Sequence, residues 1–244
     1  RVFPYTRISA LTNGLIHPLN PDKGCLSIEN IQVTLHPAIG SGIRATQAEQ
    51  SPKMKIGILA LQGAFIEHAK TIRQLGHQAV EVRLPADLAD LAGLIIPGGE
   101  STTIGKLATE FNLIEPLRDF ARAKPTWGTC AGMIFLAKDI GIDRQPILGV
   151  MDITVNRNAF GRQVDSFEID LPVSVLGDEP FHAIFIRAPL VTGVGPGVQV
   201  LARLPDERIV AVEQDHLLAT AFHPELTLDD RLHRHFLTLV EKRL

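Results

Sequence analysis

The chain has 244 residues, 45% of them apolar, with a formal net charge of −3 when histidine is neutral. That supplies a core for one sizeable α/β domain or two small ones, and no basic block interleaved with aromatics marks a nucleic-acid surface. No apolar run approaches the ~18 residues of a membrane span, and two distant cysteines, Cys25 and Cys130, make no disulfide scaffold, so a reduced, cytoplasmic compartment is expected.

Residues 1–53 hold five prolines and polar turns such as Leu19-Asn20-Pro21-Asp22. Only Cys25–Leu35 resembles a strand there, and it has no obvious partner. Residue 1 is Arg, and Met54 looks like a natural initiator. These 53 residues are expected to be an N-terminal extension, poorly ordered or non-native. The alternative is a targeting or docking arm, for which three Arg, four Ser and three acidic residues are a weak signal.

A clean α/β pattern begins at Lys55. Lys55–Leu61 reads as a buried strand and Ala64–Leu75 as a helix ending at Gly76, which suits the left-handed residue after a helix end. Strands follow at Ala79–Arg83 and Leu94–Ile96, the latter cut off by Pro97-Gly98-Gly99. Helices are expected at Ser101–Thr109 and Leu113–Ala123, then a strand at Thr126–Gly128 and a helical run at Met133–Ala137. Beyond Asp152 the pattern turns strand-rich, with Phe167–Leu171, Ala183–Ile186, Val198–Leu204, Ile209–Gln214 and Leu217–Ala221, before a closing helix at Asp229–Arg243. Strands alternating with helices predict a mostly parallel sheet covered on both faces.

Gly128-Thr129-Cys130-Ala131-Gly132 has the spacing of a nucleophile elbow, with cysteine as the nucleophile. A sharp strand-to-helix turn would expose the sulfur at a strand end, and the N-terminus of the next helix favours the attacking thiolate. A cysteine hydrolase also needs a base and an anion to orient it. Phe222-His223-Pro224-Glu225 follows the last apolar strand, so His223 and Glu225 supply both. Pro97-Gly98-Gly99-Glu100-Ser101, again at a strand end, can turn backbone N–H groups into a cavity. Those amides, Gly99 foremost, with the N–H of Ala131 are the candidate oxyanion donors.

These stretches resemble class I (triad) glutamine amidotransferases, and within them the family of glutaminase subunits of pyridoxal 5′-phosphate synthases. The narrower likeness rests on Gly57–Ala64 with Glu67-His68, Pro97–Thr103, Gly128–Gly132, Asn156–Gln163 with Asp165–Glu168, Phe185–Pro189 and Phe222–Glu225. It covers about residues 54–244 as one glutaminase domain. The resemblance implies the three-layer class I fold, a mostly parallel central sheet flanked by helices. It implies that Cys130 attacks the side-chain amide of L-glutamine, that His223 acts as base then acid, and that Glu225 orients it. It maps glutamine contacts onto Gly98, Gly99, Glu100, Arg157, Ile186 and Arg187. It also implies that ammonia passes to a separate synthase barrel subunit, and that the glutaminase alone is weak until docked. No cofactor is implied and no metal, since no cluster has zinc spacing. The rival readings are another class I amidotransferase, a γ-glutamyl hydrolase or an inactive interaction subunit. Cys25 is expected to be a bystander. His68 is read as a polar-face or interface residue, and His233 and His235, two apart on one helix, as solvated.

Overall fold

The computed structural model describes residues 53–141, 144–157 and 166–244. The strand-like segment Cys25–Leu35 and much of Asn156–Gln163 lie outside the described residues. Twelve strands and five helices follow in order: β1 (Lys55–Leu59), α1 (Phe65–Gln74), β2 (Gln78–Val82), β3 (Gly93–Ile96), α2 (Ser101–Glu110), α3 (Ile114–Ala123), β4 (Thr126–Thr129), α4 (Ala131–Leu136), β5 (Ala137–Asp139), β6 (Met151–Asn156), β7 (Ser166–Leu171), β8 (Phe181–Ile186), β9 (Leu190–Val194), β10 (Gln199–Arg203), β11 (Ile209–Gln214), β12 (Leu217–Thr220) and α5 (Arg231–Glu241).

One sheet runs β2-β1-β3-β4-β12-β11-β9-β6-β5, with β10 paired to β11. Its first five strands are parallel. Every residue of β3, β4 and β12 is buried, which is why they read as unbroken apolar or small-residue runs and not as alternating ones. Beyond β12 the pairing turns antiparallel through β11, β9 and β6. β7 and β8 form a separate antiparallel hairpin, with Phe167 and Phe185 stacked at 4.5 Å between ring centroids. This is the α/β sheet that the alternation predicted. Three strands, β5, β6 and β9, are additions to the sequence reading, and β1 stops at Leu59, short of Leu61. None of the helices among the described residues is long and apolar enough to cross a membrane.

The strand order positions the site. β1, β3, β4 and β12 are consecutive neighbours, so their carboxyl ends meet along one edge. That edge collects Gln62-Gly63, Gly98-Gly99, Cys130 and His223, which lie far apart in the chain. Crevices outside strand carboxyl ends are where open α/β sheets bind ligands.

The elbow needs α4 pressed onto the sheet. A Cβ at residue 132 would stand 2.0 Å from the Ile96 carbonyl oxygen, too close for any side chain. Gly132→Ala is therefore expected to cost about 1–3 kcal/mol of unfolding free energy, or more where β3 cannot shift. Urea denaturation measures it, against less than about 0.5 kcal/mol for Ile66→Ala at an exposed position.

Candidate active site

Cys130 sits between β4 and α4 with φ 48° and ψ −105°, a backbone state that residues with a side chain rarely adopt. Its N–H donates to the Thr220 carbonyl at 2.8 Å, and its carbonyl accepts the Met133 N–H at 3.1 Å. Extended strand on one side and tight helix on the other give the sharp turn of an elbow. The sulfur lies 3.9 Å from the Ile186 carbonyl oxygen.

His223 is buried at the end of the segment leaving β12. Its N–H donates to the Ile184 carbonyl at 2.8 Å, which ties it to β8. Pro224 then opens a short 3-10 turn, which swings Glu225 back under the ring. His223 Nδ1 and Glu225 Oε1 are 2.7 Å apart, and His223 lines the same cavity as Cys130. Burial opposes charge on His223, yet the influence of Cys130 and Glu225 outweighs it and raises the imidazole to about 10. Burial likewise works against an ionised Glu225, but His68 and His223 together hold its carboxyl below the ordinary range. A charged imidazole beside a buried carboxylate is the pairing that an acid–base histidine requires.

The loop after β3 closes the other wall. A Cβ at residue 98 would lie 2.4 Å from His223 Cε1 and 3.2 Å from the Cys130 Cβ, so only glycine lets this backbone reach the pair. The Gly98 N–H donates to Thr129 Oγ1 at 3.0 Å, and its carbonyl accepts from the Ala64 N–H at 3.3 Å. Gln62 Oε1 accepts the Glu100 N–H at 2.7 Å. Glu100 caps α2, its side chain accepting the Thr102 and Thr103 N–H groups. Hydrogen bonds from the Thr102 hydroxyl first, then from Thr103, bring it down to about 2 against the cost of burial.

These walls enclose a cavity of about 330 Å³, the scale of a small-molecule site. Cys130, Ala131 and His223 line it, together with Gly99, Glu100, Arg157, Ile186 and Arg187. The Arg157 guanidinium lies 3.7 Å from Glu100 Oε1, and Arg187 holds φ 43°. Of the expected contacts, Gly98 alone does not line the cavity; it packs behind, against His223.

Two expectations need correction. His68 and His233 are neither polar-face nor solvated: they are 0% and 1% exposed. The rings are joined Nδ1 to Nε2 at 3.0 Å, and His68 Nε2 lies 3.3 Å from Glu225 Oε2. His235 is half-buried and pairs with Glu213 Oε2 at 2.5 Å. A signal was present. His68 falls at helical spacing from Phe65 and Ile72, and His233 from Phe236 and Val240, both on apolar stripes. Thr129 was passed over as well; no residue pattern marks a threonine that anchors a neighbouring loop.

Burial pushes His68 down and His233 well down from the ordinary 6.5, so both fold neutral. Below about pH 6.5 the unfolded chain takes up protons that these rings refuse, and stability falls as pH falls. His223 works in the opposite sense, contributing fully below 6.5 and losing that contribution as pH rises toward about 10. Urea denaturation across pH should show a shallower acid flank for His233→Gln than for the parent.

Residues 58–242 match the SNO glutamine amidotransferase family. The chain is 61% identical over 189 residues to the pyridoxal 5′-phosphate synthase subunit PdxT of Desulforudis audaxviator, covering 77% of this chain and 100% of that one. Identity to the PdxT of Herpetosiphon aurantiacus is 60% over 190 residues, covering 76% and 100%. A crystal structure of a glutamine amidotransferase superposes with a TM-score of 0.72 at 53% identity, covering 76% of this chain and 98% of that one. PurLQS from Thermotoga maritima, 15% identical with a TM-score of 0.58 and covering 76% and 98%, shares the fold alone. With a family match across most of its length and relatives matched end to end, this chain belongs to the SNO glutamine amidotransferase family.

Proposed function

We propose that this chain is the glutaminase subunit of a pyridoxal 5′-phosphate synthase, hydrolysing L-glutamine to L-glutamate and ammonia through Cys130, His223 and Glu225. The observation that carries the reading is the elbow cysteine sharing a cavity with an imidazole that is itself seated on a buried carboxylate, in a chain 61% identical to a PdxT subunit over that protein's whole length.

The chemistry follows from the geometry. The Cys130 sulfur attacks the side-chain amide carbon of glutamine, forming a tetrahedral intermediate. The N–H groups of Gly99 and Ala131 are the proposed oxyanion donors. The Gly98 amide is committed to Thr129, whereas the Gly99 N–H, opposite the Gly98 carbonyl across a trans peptide, points away from α1. His223 hands its proton to the amide nitrogen, the C–N bond breaks, and ammonia leaves a γ-glutamyl thioester. Water, deprotonated by His223, then attacks the thioester, and Cys130 departs from glutamate. Glu225 stays ionised throughout and keeps the His223 ring in the tautomer that presents Nε2 to the sulfur.

Free glutamine carries an α-carboxylate and an α-ammonium. Arg157 and Arg187 suit the former, while Glu100 and the Ile186 carbonyl suit the latter. The ammonia released is proposed to pass to a barrel subunit of the synthase, as the likeness to PdxT subunits suggests. Gln62 and Ala64, which hold the Gly98–Glu100 loop, lie just before α1, so a partner resting on this helix can reset the oxyanion donors. We infer a reducing, cytoplasmic setting, in which Cys130 stays a free thiol. Residues 1–53 are read as lying outside the catalytic unit.

Ammonia release from glutamine, measured with and without the barrel subunit, tests the proposal. The free chain should be slow and accelerate on adding the partner. Full activity unchanged by the partner would instead mark a stand-alone hydrolase. Cys130→Ala should abolish release while leaving docking intact. Arg157→Ala should raise KM for glutamine about 10-fold or more, the scale of a lost charge-assisted hydrogen bond. A chain starting at Met54 should retain the stimulated rate.

A further inference from the structure

We propose that His233 and His68 form a directed hydrogen-bond relay behind the triad, in which His68 is a positioning residue for Glu225 and, through Thr129, for the Gly98–Gly99 loop. The inference rests on the glutaminase reading above and deepens it.

The side chain of Glu225 is fully buried. Its Oε1 takes the His223 Nδ1–H. Its Oε2 makes no hydrogen bond, and the group facing it is His68 Nε2 at 3.3 Å. A carboxylate only accepts, so His68 carries its proton on Nε2. Its Nδ1 is then an acceptor, and the partner at 3.0 Å, His233 Nε2, must donate. That leaves His233 Nδ1 as the bare acceptor at the end of the chain, and Nδ1 is the nitrogen without a partner. The reverse direction would set the His68 Nε2 lone pair against a carboxylate lone pair.

Two more contacts fix the relay. Trp127 stands edge-on to both rings, with centroids 5.6 Å from His68 and 5.0 Å from His233, and so limits how either ring turns. Thr129 Oγ1 is the hydrogen-bond partner of His68 Nε2 at 3.3 Å, which beside Glu225 Oε2 makes it the acceptor of the Nε2–H, and it also accepts the Gly98 N–H. One imidazole thus touches both the base-orienting carboxylate and the residue that anchors the oxyanion loop. Two buried imidazoles are expensive fillers compared with leucine; a directed chain gives three of their four ring nitrogens a use. The charged and titratable groups facing His68 are Glu225 and His223 beyond β12, Glu67 on its own helix and His233 from α5.

Two substitutions separate the ring nitrogens. His68→Asn keeps a polar atom near Nδ1 and removes the donor at Nε2, whereas His68→Gln keeps a donor near Nε2. Assayed as the complex with the barrel subunit, His68→Asn should lose about 10–100-fold in kcat while KM for glutamine stays within about twofold. That is short of the ~10⁴-fold lost when a triad orienter itself is removed. His68→Gln should recover to within about fivefold of the parent. Alkylation of Cys130 by iodoacetamide against pH, in a Cys25→Ser background, reads the Cys130–His223 pair without glutamine. The Asn variant should need about one pH unit more for half-maximal rate, and the Gln variant much less. Asn and Gln variants alike in both kcat and alkylation profile, or an Asn variant at the parental values, would overturn the relay. If the parent itself fails to hydrolyse glutamine, the functional reading falls, and the alkylation comparison still decides the relay.

Discussion

One hydrogen bond organises this site: the Cys130 N–H donates to the Thr220 carbonyl. It is the last rung of the parallel ladder that pairs β4 with β12, in register from Thr126 and Leu217 to Thr129 and Thr220. Beyond that rung the two strands part. One chain turns sharply into α4 with Cys130 at positive φ, and the other runs three residues to His223. A strained residue of this kind persists only where its surroundings over-determine it. Here the surroundings are the ladder on one side and α4, buried at every residue, on the other. The elbow and the proposed base both follow directly from this rung, and the His223 N–H bond to the Ile184 carbonyl fixes the second of them.

The electrostatics follow from where the carboxylate ends up. Glu225 is buried between two imidazoles that are themselves buried, yet the two are driven in opposite directions. His223 has the cysteine and the nearer carboxylate oxygen and is held charged. His68 has only the farther oxygen, with His223 opposing its charge, and burial keeps it neutral. A single buried anion cannot support two cations, so the site sorts its histidines into one that carries a proton and one that holds position. Trp127, itself fully buried, stands edge-on to His68 and so adds to the burial that keeps His68 neutral.

Much of this was legible beforehand, for reasons that can be named. The elbow spacing, the His-Pro-Glu turn and the Gly-Gly break are each local: the required backbone turn and the required side chain sit within five residues. The buried parallel strands were legible because burial on both faces leaves a continuous apolar run. β6 was missed although Met151, Ile153 and Val155 alternate inward with Asp152 and Thr154, and β9 because Gly193 interrupts a run of only five residues. His68 and His233 were misjudged by residue type, when their position on apolar helical stripes pointed inward.

The sequence by itself determined the fold class, the candidate nucleophile with its candidate partners, and the family. Each is written in short-range patterns of turn residues and hydrophobic period, or in motifs contiguous in the chain. Only the tertiary structure decided that His68 and His233 stand behind Glu225, that Thr129 holds the Gly98 amide, and that Gly98 lies behind the cavity while Gly99 lines it. Those facts depend on strand order and on which face of α1 meets α5. Contacts between residues 31 to 165 positions apart leave no local pattern to read.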